Sequence, residues 1–102
     1  MTKSERIGEV VRSSLEQLNS ERLPNQRISF DPSTLLAKPR GTLDSLSLVG
    51  LMVDLEVGLE NEFGITISLA EVAGTPDGAG MFVTVGTLTA ALLQQVEGLA
   101  DV

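Results

Sequence analysis

Residues 41–64 read GTLDSLSLVGLMVDLEVGLENEFG, a run that begins polar and then carries an apolar residue at almost every helical turn. Apolar side chains recur here every three or four residues, which is the spacing of one face of an α-helix. The sequence therefore predicts a helix from about Leu46 to Phe63, capped at its C-terminal end by Gly64 in the left-handed conformation. The predicted core-facing residues are Leu48, Met52, Leu55, Leu59 and Phe63.

A second apolar row lies beside this face. Together the two rows make the helix apolar over most of its circumference, and such a helix is normally enclosed by other elements. We therefore expect it to be the most buried element of the fold. The second row consists of Leu46, Val49, Val53 and Val57. The remaining, more polar strip of the helix consists of Ser47, Gly50, Asp54, Gly58 and Asn61.

A first helix is predicted from about Lys3 to Asn19. Thr2 and Glu5 match a capping box, in which each side chain bonds the backbone N–H of the other residue. Apolar residues follow at helical spacing, which gives the helix a single core-facing side. They are Ile7, Val10, Val11, Leu15 and Leu18.

Residues 20–44 are predicted to form a long connection, because they contain three of the four prolines. We expect one helical turn over Ser33–Leu36, with Asp31 as N-cap and Pro32 at the first helical position. A loop of this length is uncommon in a compact domain and is usually functional. The residues expected to hold it on the core are Ile28, Phe30, Leu35 and Leu36.

The C-terminal third is predicted to add two helices. Ser68 and Glu71 match a capping box before a short helix over Leu69–Ala73, and Thr84 is the predicted N-cap of the last helix. The loop 74–80 is rich in glycine, follows no strand and contains no lysine, so it fits a turn better than a phosphate-binding loop. The last helix has its apolar face at Val85, Leu88, Leu92, Val96 and Leu99. With no strand pairing expected, the fold class is a small all-α bundle of three main helices and one short helix.

The length and composition limit the possible functions. The chain has 102 residues and contains neither cysteine nor histidine. We expect one domain over residues 1–102, and the missing residue types exclude disulfides, zinc fingers and catalysis by cysteine or histidine. No pair of carboxylates has a spacing that suggests acid–base catalysis, so we do not expect an enzyme or a metal site. No signal peptide or membrane-spanning run is visible, and we expect a cytoplasmic monomer.

Charge is distributed unevenly along the chain. Residues 1–40 hold all seven basic residues and five acids, whereas residues 41–102 hold nine acids and no base. A nucleic-acid-binding surface requires a basic stripe, which the second part cannot supply. An anionic membrane surface is disfavoured for the same reason. We expect instead a protein partner with a basic surface.

Asp44 and Ser45 stand where the long connection meets the apolar helix. We place Ser45 at the N-cap, where its hydroxyl is exposed and the helix N-terminus favours an anion such as a phosphate ester. The chain has no histidine to act as base, so Ser45 needs another enzyme to activate it. Taken alone, the motif is better explained as ordinary helix capping, because Ser is a favoured N-cap residue.

The surrounding residues resemble the acyl carrier protein family, also known as phosphopantetheine carrier domains. The resemblance covers residues 41–99 and is carried by three stretches. These are Gly41-Thr42-Leu43-Asp44-Ser45-Leu46, then Leu55-Glu56 with Glu60-Asn61-Glu62-Phe63-Gly64-Ile65, and finally Thr84-Val85 followed by Leu88. It implies a four-helix bundle with one short helix.

The resemblance also implies a function. Ser45, flanked by Asp44 and Leu46, would carry 4′-phosphopantetheine, which a separate phosphopantetheinyl transferase transfers from coenzyme A. Asp44 would assist that transferase through the metal site of the transferase. The thiol of the arm would hold acyl or aminoacyl groups as thioesters and pass them between loading and processing enzymes with basic docking patches. The implied partner-binding residues are Asp54, Glu56, Glu60 and Glu62, and the implied acyl cleft is lined by Val53, Leu59, Phe82 and Leu88.

Two departures from the family pattern point to a specialised carrier, serving a fatty-acid, polyketide, non-ribosomal peptide or lipid-modification pathway, and not to the housekeeping carrier. The second helix is about one turn longer than usual, and Ser47 and Gly50 are uncharged where acids are common. The alternative is an unmodified acidic adaptor that binds a basic protein. Glu56 is also open to two interpretations. It is either a functional carboxylate or, more simply, a structural one that extends to solvent from the flank of the helix or bonds loop backbone.

Overall fold

The structure is a computed structural model, and it describes residues 2–76, 78 and 80–100. These residues form an all-α bundle, as predicted, without strands. One turn of 3-10 helix at Pro24–Gln26 interrupts the long connection, and it was not predicted. The helices are α1 (Lys3–Asn19), α2 (Ser45–Phe63), α3 (Leu69–Ala73) and α4 (Val85–Ala100).

Most helix ends follow from local sequence. Thr2 and Glu5 form the predicted capping box of α1, and Gly64 ends α2 with a φ of 69°. Ser68 accepts a hydrogen bond from the Glu71 N–H at the start of α3. Thr84 accepts one from the Thr87 N–H at 3.0 Å, as the predicted N-cap of α4.

The core is a cluster of mainly aliphatic side chains, to which every α-helix and the connections between them contribute. Leucines of α2 pack on α1, and the predicted apolar face of α4 completes the cluster. The side chain of Leu99, also predicted on that face, lies outside the described residues. The fully enclosed side chains, all with at most 2% of their surface exposed, include Ile7, Val11, Leu15, Leu51, Leu55, Leu59, Leu69, Val85, Leu88 and Leu92.

The antiparallel contact between α1 and α2 is unusually close at one point. A Cβ atom added at Gly58 would lie 2.9 Å from Cγ1 of Val10, so glycine is needed there for the helices to approach. At the other end of the pair, Arg6 Nε donates to Glu62 Oε1 at 2.7 Å. The Arg6 guanidinium also lies 4.4 Å from the centre of the Phe63 ring, within the range of a cation–π contact.

The second apolar row of α2 is not buried, which corrects the expectation that α2 is the most enclosed helix. We call this row the α2 stripe: Leu46 is 82% exposed, and Val49, Val53 and Val57 are 54%, 54% and 53% exposed. Only Leu51, Leu55 and Leu59 of α2 are buried, fewer than the buried residues of α1. The bundle covers α2 from one side, so its opposite apolar face remains at the surface.

The long connection is held on the core by fewer side chains than predicted. Ile28 and Leu36 are buried, but Phe30 and Leu35 are 48% and 41% exposed. The Asp31 carboxylate accepts a hydrogen bond from the Ser33 N–H, as an N-cap does, but the predicted helix over Ser33–Leu36 does not form. The backbone groups that it would use are paired elsewhere, since the Leu36 N–H donates to the Val83 carbonyl and the Pro32 carbonyl accepts from the Gly86 N–H.

Two glycines of α2 provide a test of the α1–α2 contact. Gly58→Ala should destabilise the fold by up to about 2 kcal/mol, because overpacking against the stiff Val10 outweighs the higher helix propensity of alanine. Gly50→Ala is the matched control: nothing lies within 4 Å of the added Cβ. It should stabilise by about 0.5–1 kcal/mol. Urea unfolding of both variants measures the difference, and stabilisation by both would show that the helices are not in close contact at Gly58.

A second pair tests which face of α2 is buried. Leu55→Ala should cost about 2–5 kcal/mol, because it removes side-chain volume from the core. Val53→Ala, two residues earlier on the α2 stripe, should change the free energy of unfolding by less than about 0.5 kcal/mol. Thermal unfolding monitored by circular dichroism compares the two. Equal losses would mean that the α2 stripe is covered.

Candidate functional site

The start of α2 is capped by Asp44 and not by Ser45. The Asp44 backbone is extended, with φ −80° and ψ 180°, and its Oδ1 accepts a hydrogen bond from the Ser47 N–H at 2.9 Å. Ser45 is therefore the first residue inside the helix, which corrects its predicted place by one position. Its side chain is exposed, and its hydroxyl makes no hydrogen bond with any residue that the structure describes. Asp and Ser cap helices about equally well, so sequence alone could not choose between them.

The electrostatics at this position favour the ionised form of Asp44. The pKa of the Asp44 carboxyl is lowered, chiefly by the hydrogen bond from the Ser47 N–H and then by the Ser47 side chain. The positive charges of Lys38 and Arg22 lower this pKa further. A carboxyl group with a lowered pKa is a weak base, so Asp44 is poorly suited to remove the proton of the Ser45 hydroxyl.

A tight turn holds this site against the rest of the molecule. Leu43 is fully buried, and its N–H donates to the Leu36 carbonyl at 2.9 Å. The Leu36 N–H in turn donates to the Val83 carbonyl at 3.0 Å, just before α4. At Gly41 a Cβ atom would lie 2.2 Å from the Leu36 carbonyl oxygen, so only glycine allows the turn to close. The first residues of α2 are thus fixed to the start of α4.

The four predicted partner-binding acids divide into two classes. Glu56 accepts a hydrogen bond at 3.0 Å from the Leu69 N–H, the first of α3, so its carboxylate bonds backbone as the simpler interpretation held, although at a helix start and not in a loop. Glu62 pairs with Arg6. Glu60 is exposed and Asp54 is partly exposed, and neither takes part in an ion pair with a described residue. Asp54 and Glu60 are therefore the two acids of the four that remain available to a partner.

The four residues predicted to line an acyl cleft do not share one environment. Leu59 and Leu88 are fully buried in the core, and Phe82 is 8% exposed. Val53 instead lies on the α2 stripe, outside this cluster. It borders a shallow depression lined by Gln17, Leu18, Glu21, Gly50, Val53 and Asp54.

Two features of this surface were not predicted. The first is the exposure of the α2 stripe, which depends on where the other helices lie. The second is the position of Lys38 and Arg22 close enough to influence Asp44. The sequence does show that every basic residue precedes residue 41. The approach of Lys38 and Arg22 to Asp44, however, depends on how the long connection folds back.

The residues around Ser45 fit a covalently attached phosphodiester. The hydroxyl is exposed, it lies in the first turn of α2, where a helix favours negative charge, and Lys38 and Arg22 act on the neighbouring Asp44 carboxyl. Among the described residues no cluster of three or more potential ligands could hold a metal ion.

Comparisons of the chain with protein-family models, with curated proteins and with solved structures gave no match. No helix in the described part of the chain is both long and apolar enough to cross a membrane.

The helix cap provides a pH-dependent test. Because the folded pKa of Asp44 is lowered, the carboxylate stabilises the fold above the unfolded pKa, about 3.9, and this effect is lost as the pH falls through the folded pKa. Wild type should therefore exceed Asp44→Ala in stability at neutral pH, and the difference should shrink below about pH 4. Thermal melting between neutral and acidic pH measures it.

Asp44→Asn is the control for this comparison. Asparagine caps a helix about as well as aspartate but carries no titratable group. The difference in melting temperature between Asp44→Asn and Asp44→Ala should therefore be independent of pH. A wild-type advantage over Asp44→Ala that also stays constant down to the acid limit would contradict the cap.

Proposed function

We propose that this protein is an acyl-carrier-like protein, modified on Ser45 with 4′-phosphopantetheine. The observation that carries the proposal is that Asp44, and not Ser45, caps α2. Asp44 holds the helix cap through the Ser47 N–H, so Ser45 presents an exposed hydroxyl that the fold does not use. The resemblance of residues 41–99 to phosphopantetheine carriers suggests what that hydroxyl is for.

The modification needs a second protein. The Ser45 oxygen forms an ester bond to phosphorus, the pyrophosphate bond of coenzyme A breaks, and adenosine 3′,5′-bisphosphate leaves. The hydroxyl proton passes to a base of the phosphopantetheinyl transferase, because the chain has no histidine and the Asp44 carboxylate is already bonded. Once attached, the arm supplies a thiol that carries acyl or aminoacyl groups as thioesters.

The surface of α2 supports docking to several enzymes in turn. Glu60 and Asp54 can face basic patches on partners, which gives fast, weak and salt-sensitive association. The α2 stripe adds apolar contacts that start at Leu46, directly beside Ser45. A helix with few free acids and an apolar stripe fits the proposal of a specialised carrier serving its own set of enzymes.

An unmodified adaptor is the second candidate, and the α2 stripe is the observation that favours it. Exposed apolar patches of this kind mark protein interaction sites whether or not the protein is modified. An adaptor requires the stripe and the neighbouring acids but not the Ser45 hydroxyl. The two candidates therefore differ in the effect of Ser45→Ala.

Intact-mass spectrometry distinguishes them. The protein is incubated with coenzyme A, magnesium and a broad-specificity phosphopantetheinyl transferase. We expect wild type to gain the mass of one phosphopantetheine and Ser45→Ala to gain nothing. Ser47→Ala, which removes a hydroxyl two residues away, is the matched control and should still be modified. If no variant gains mass while circular dichroism shows them folded, the adaptor becomes the better explanation.

A further inference from the structure

A small cavity lies between the turn before α2 and the segment before α4. Its volume is about 210 Å³, and its lining combines two cations with apolar side chains. We call it the cationic cavity, and it is lined by Ala37, Lys38, Pro39, Arg40, Phe82 and Val83.

Backbone hydrogen bonds place this cavity next to the modification site. The Lys38 N–H donates to the carbonyl of Leu43, the residue before Asp44, at 3.0 Å. The Ala37 N–H donates to the Phe82 carbonyl at 3.1 Å, which joins the two walls of the cavity. The cavity is therefore anchored to the backbone one residue before the helix cap, and the charge of Lys38 acts on Asp44 itself.

The cations of the cavity are not neutralised within the described part of the chain. The ion pairs found there use Arg6 and Arg12, and neither Lys38 nor Arg40 forms one. Both side chains are exposed. The apolar part is formed by Phe82, which is 8% exposed, and by Val83, which is 42% exposed. A ligand that fits has an anionic end and an uncharged remainder.

The depression between α1 and α2 that Val53 borders has the opposite charge. It borders Gly50 and Val53 in the first turns of α2 and contains the carboxylates of Glu21 and Asp54. A phosphate is repelled there and attracted to Lys38 and Arg40. Charge thus distinguishes the cationic cavity from this depression, whose volume is about 340 Å³.

We propose that the cationic cavity is the binding site of the phosphopantetheine arm, with Lys38 and Arg40 pairing with its phosphate and with Phe82 and Val83 contacting its uncharged part. This inference rests on the proposed function, because it concerns the group attached to Ser45. It assigns the long connection a role: the loop supplies the counter-charge that the acidic region 41–102 lacks.

Amide chemical shifts from ¹⁵N-labelled protein test the proposal. Comparison of unmodified and Ser45-modified wild type should show the largest shift changes at Lys38, Arg40, Phe82 and Val83, beyond those of the residues next to Ser45. In the modified double variant Lys38→Gln/Arg40→Gln these changes should largely disappear. Arg27→Gln removes an exposed charge from the same loop and is the matched control, in which they should persist.

A second measurement needs no transferase. Unmodified protein is titrated with free 4′-phosphopantetheine while the same amides are followed. Affinity should fall about two- to fivefold for each cation removed, the size expected for an exposed charge pair, and should weaken with added salt. Arg27→Gln should bind as wild type does.

The outcomes separate the two proposals. Shift changes confined to Gly50, Val53 and Asp54 after modification would overturn the cationic cavity and leave the carrier function standing. A chain that cannot be modified but binds free phosphopantetheine at Lys38 and Arg40 would keep the site and remove the carrier function. Absence of shifts in both measurements would overturn the site.

Discussion

The packing of one leucine row of α2 against α1 is the contact on which the rest of this molecule depends. Leu51, Leu55 and Leu59 are fully buried, and Gly58 lets the α1 backbone approach closely enough to bury them. Once this face is committed to the core, the valines on the opposite side have no helix left to cover them. The exposed α2 stripe is therefore a consequence of the core, and it fits the smaller fraction of surface that a domain of this size buries.

What the sequence could predict was local. The bounds of α1 and α3, the capping box of α1 and the left-handed Gly64 depend on residues a few positions apart, and they agree with the structure. The exposure of Val53 depends on where other helices lie, and periodicity does not contain that information. The hydrogen bonds that join Leu36 to Val83 connect residues far apart in the chain and could not be predicted from local spacing.

Some acidic residues of α2 are used within the fold, and others remain free at the surface. The family resemblance implied four docking acids, but Glu56 accepts a hydrogen bond from the first N–H of α3 and Glu62 binds Arg6. Both carboxylates are satisfied by partners within the fold, so the net charge overstates how much of the surface is free to attract another protein. The opposite holds for Lys38 and Arg40, whose charges stay available beside an acidic helix.

Because Asp44 is the helix cap, position 45 should tolerate substitution. The Ser45 side chain makes no contact that the helix start requires, so another side chain that is compatible with a first helical turn should leave the structure unchanged. The chain contains no cysteine, so Ser45→Cys would create its one thiol at the proposed attachment point. A fluorophore, a spin label or a non-hydrolysable acyl group could then be attached to this one thiol, which would give a protein labelled at a single defined position.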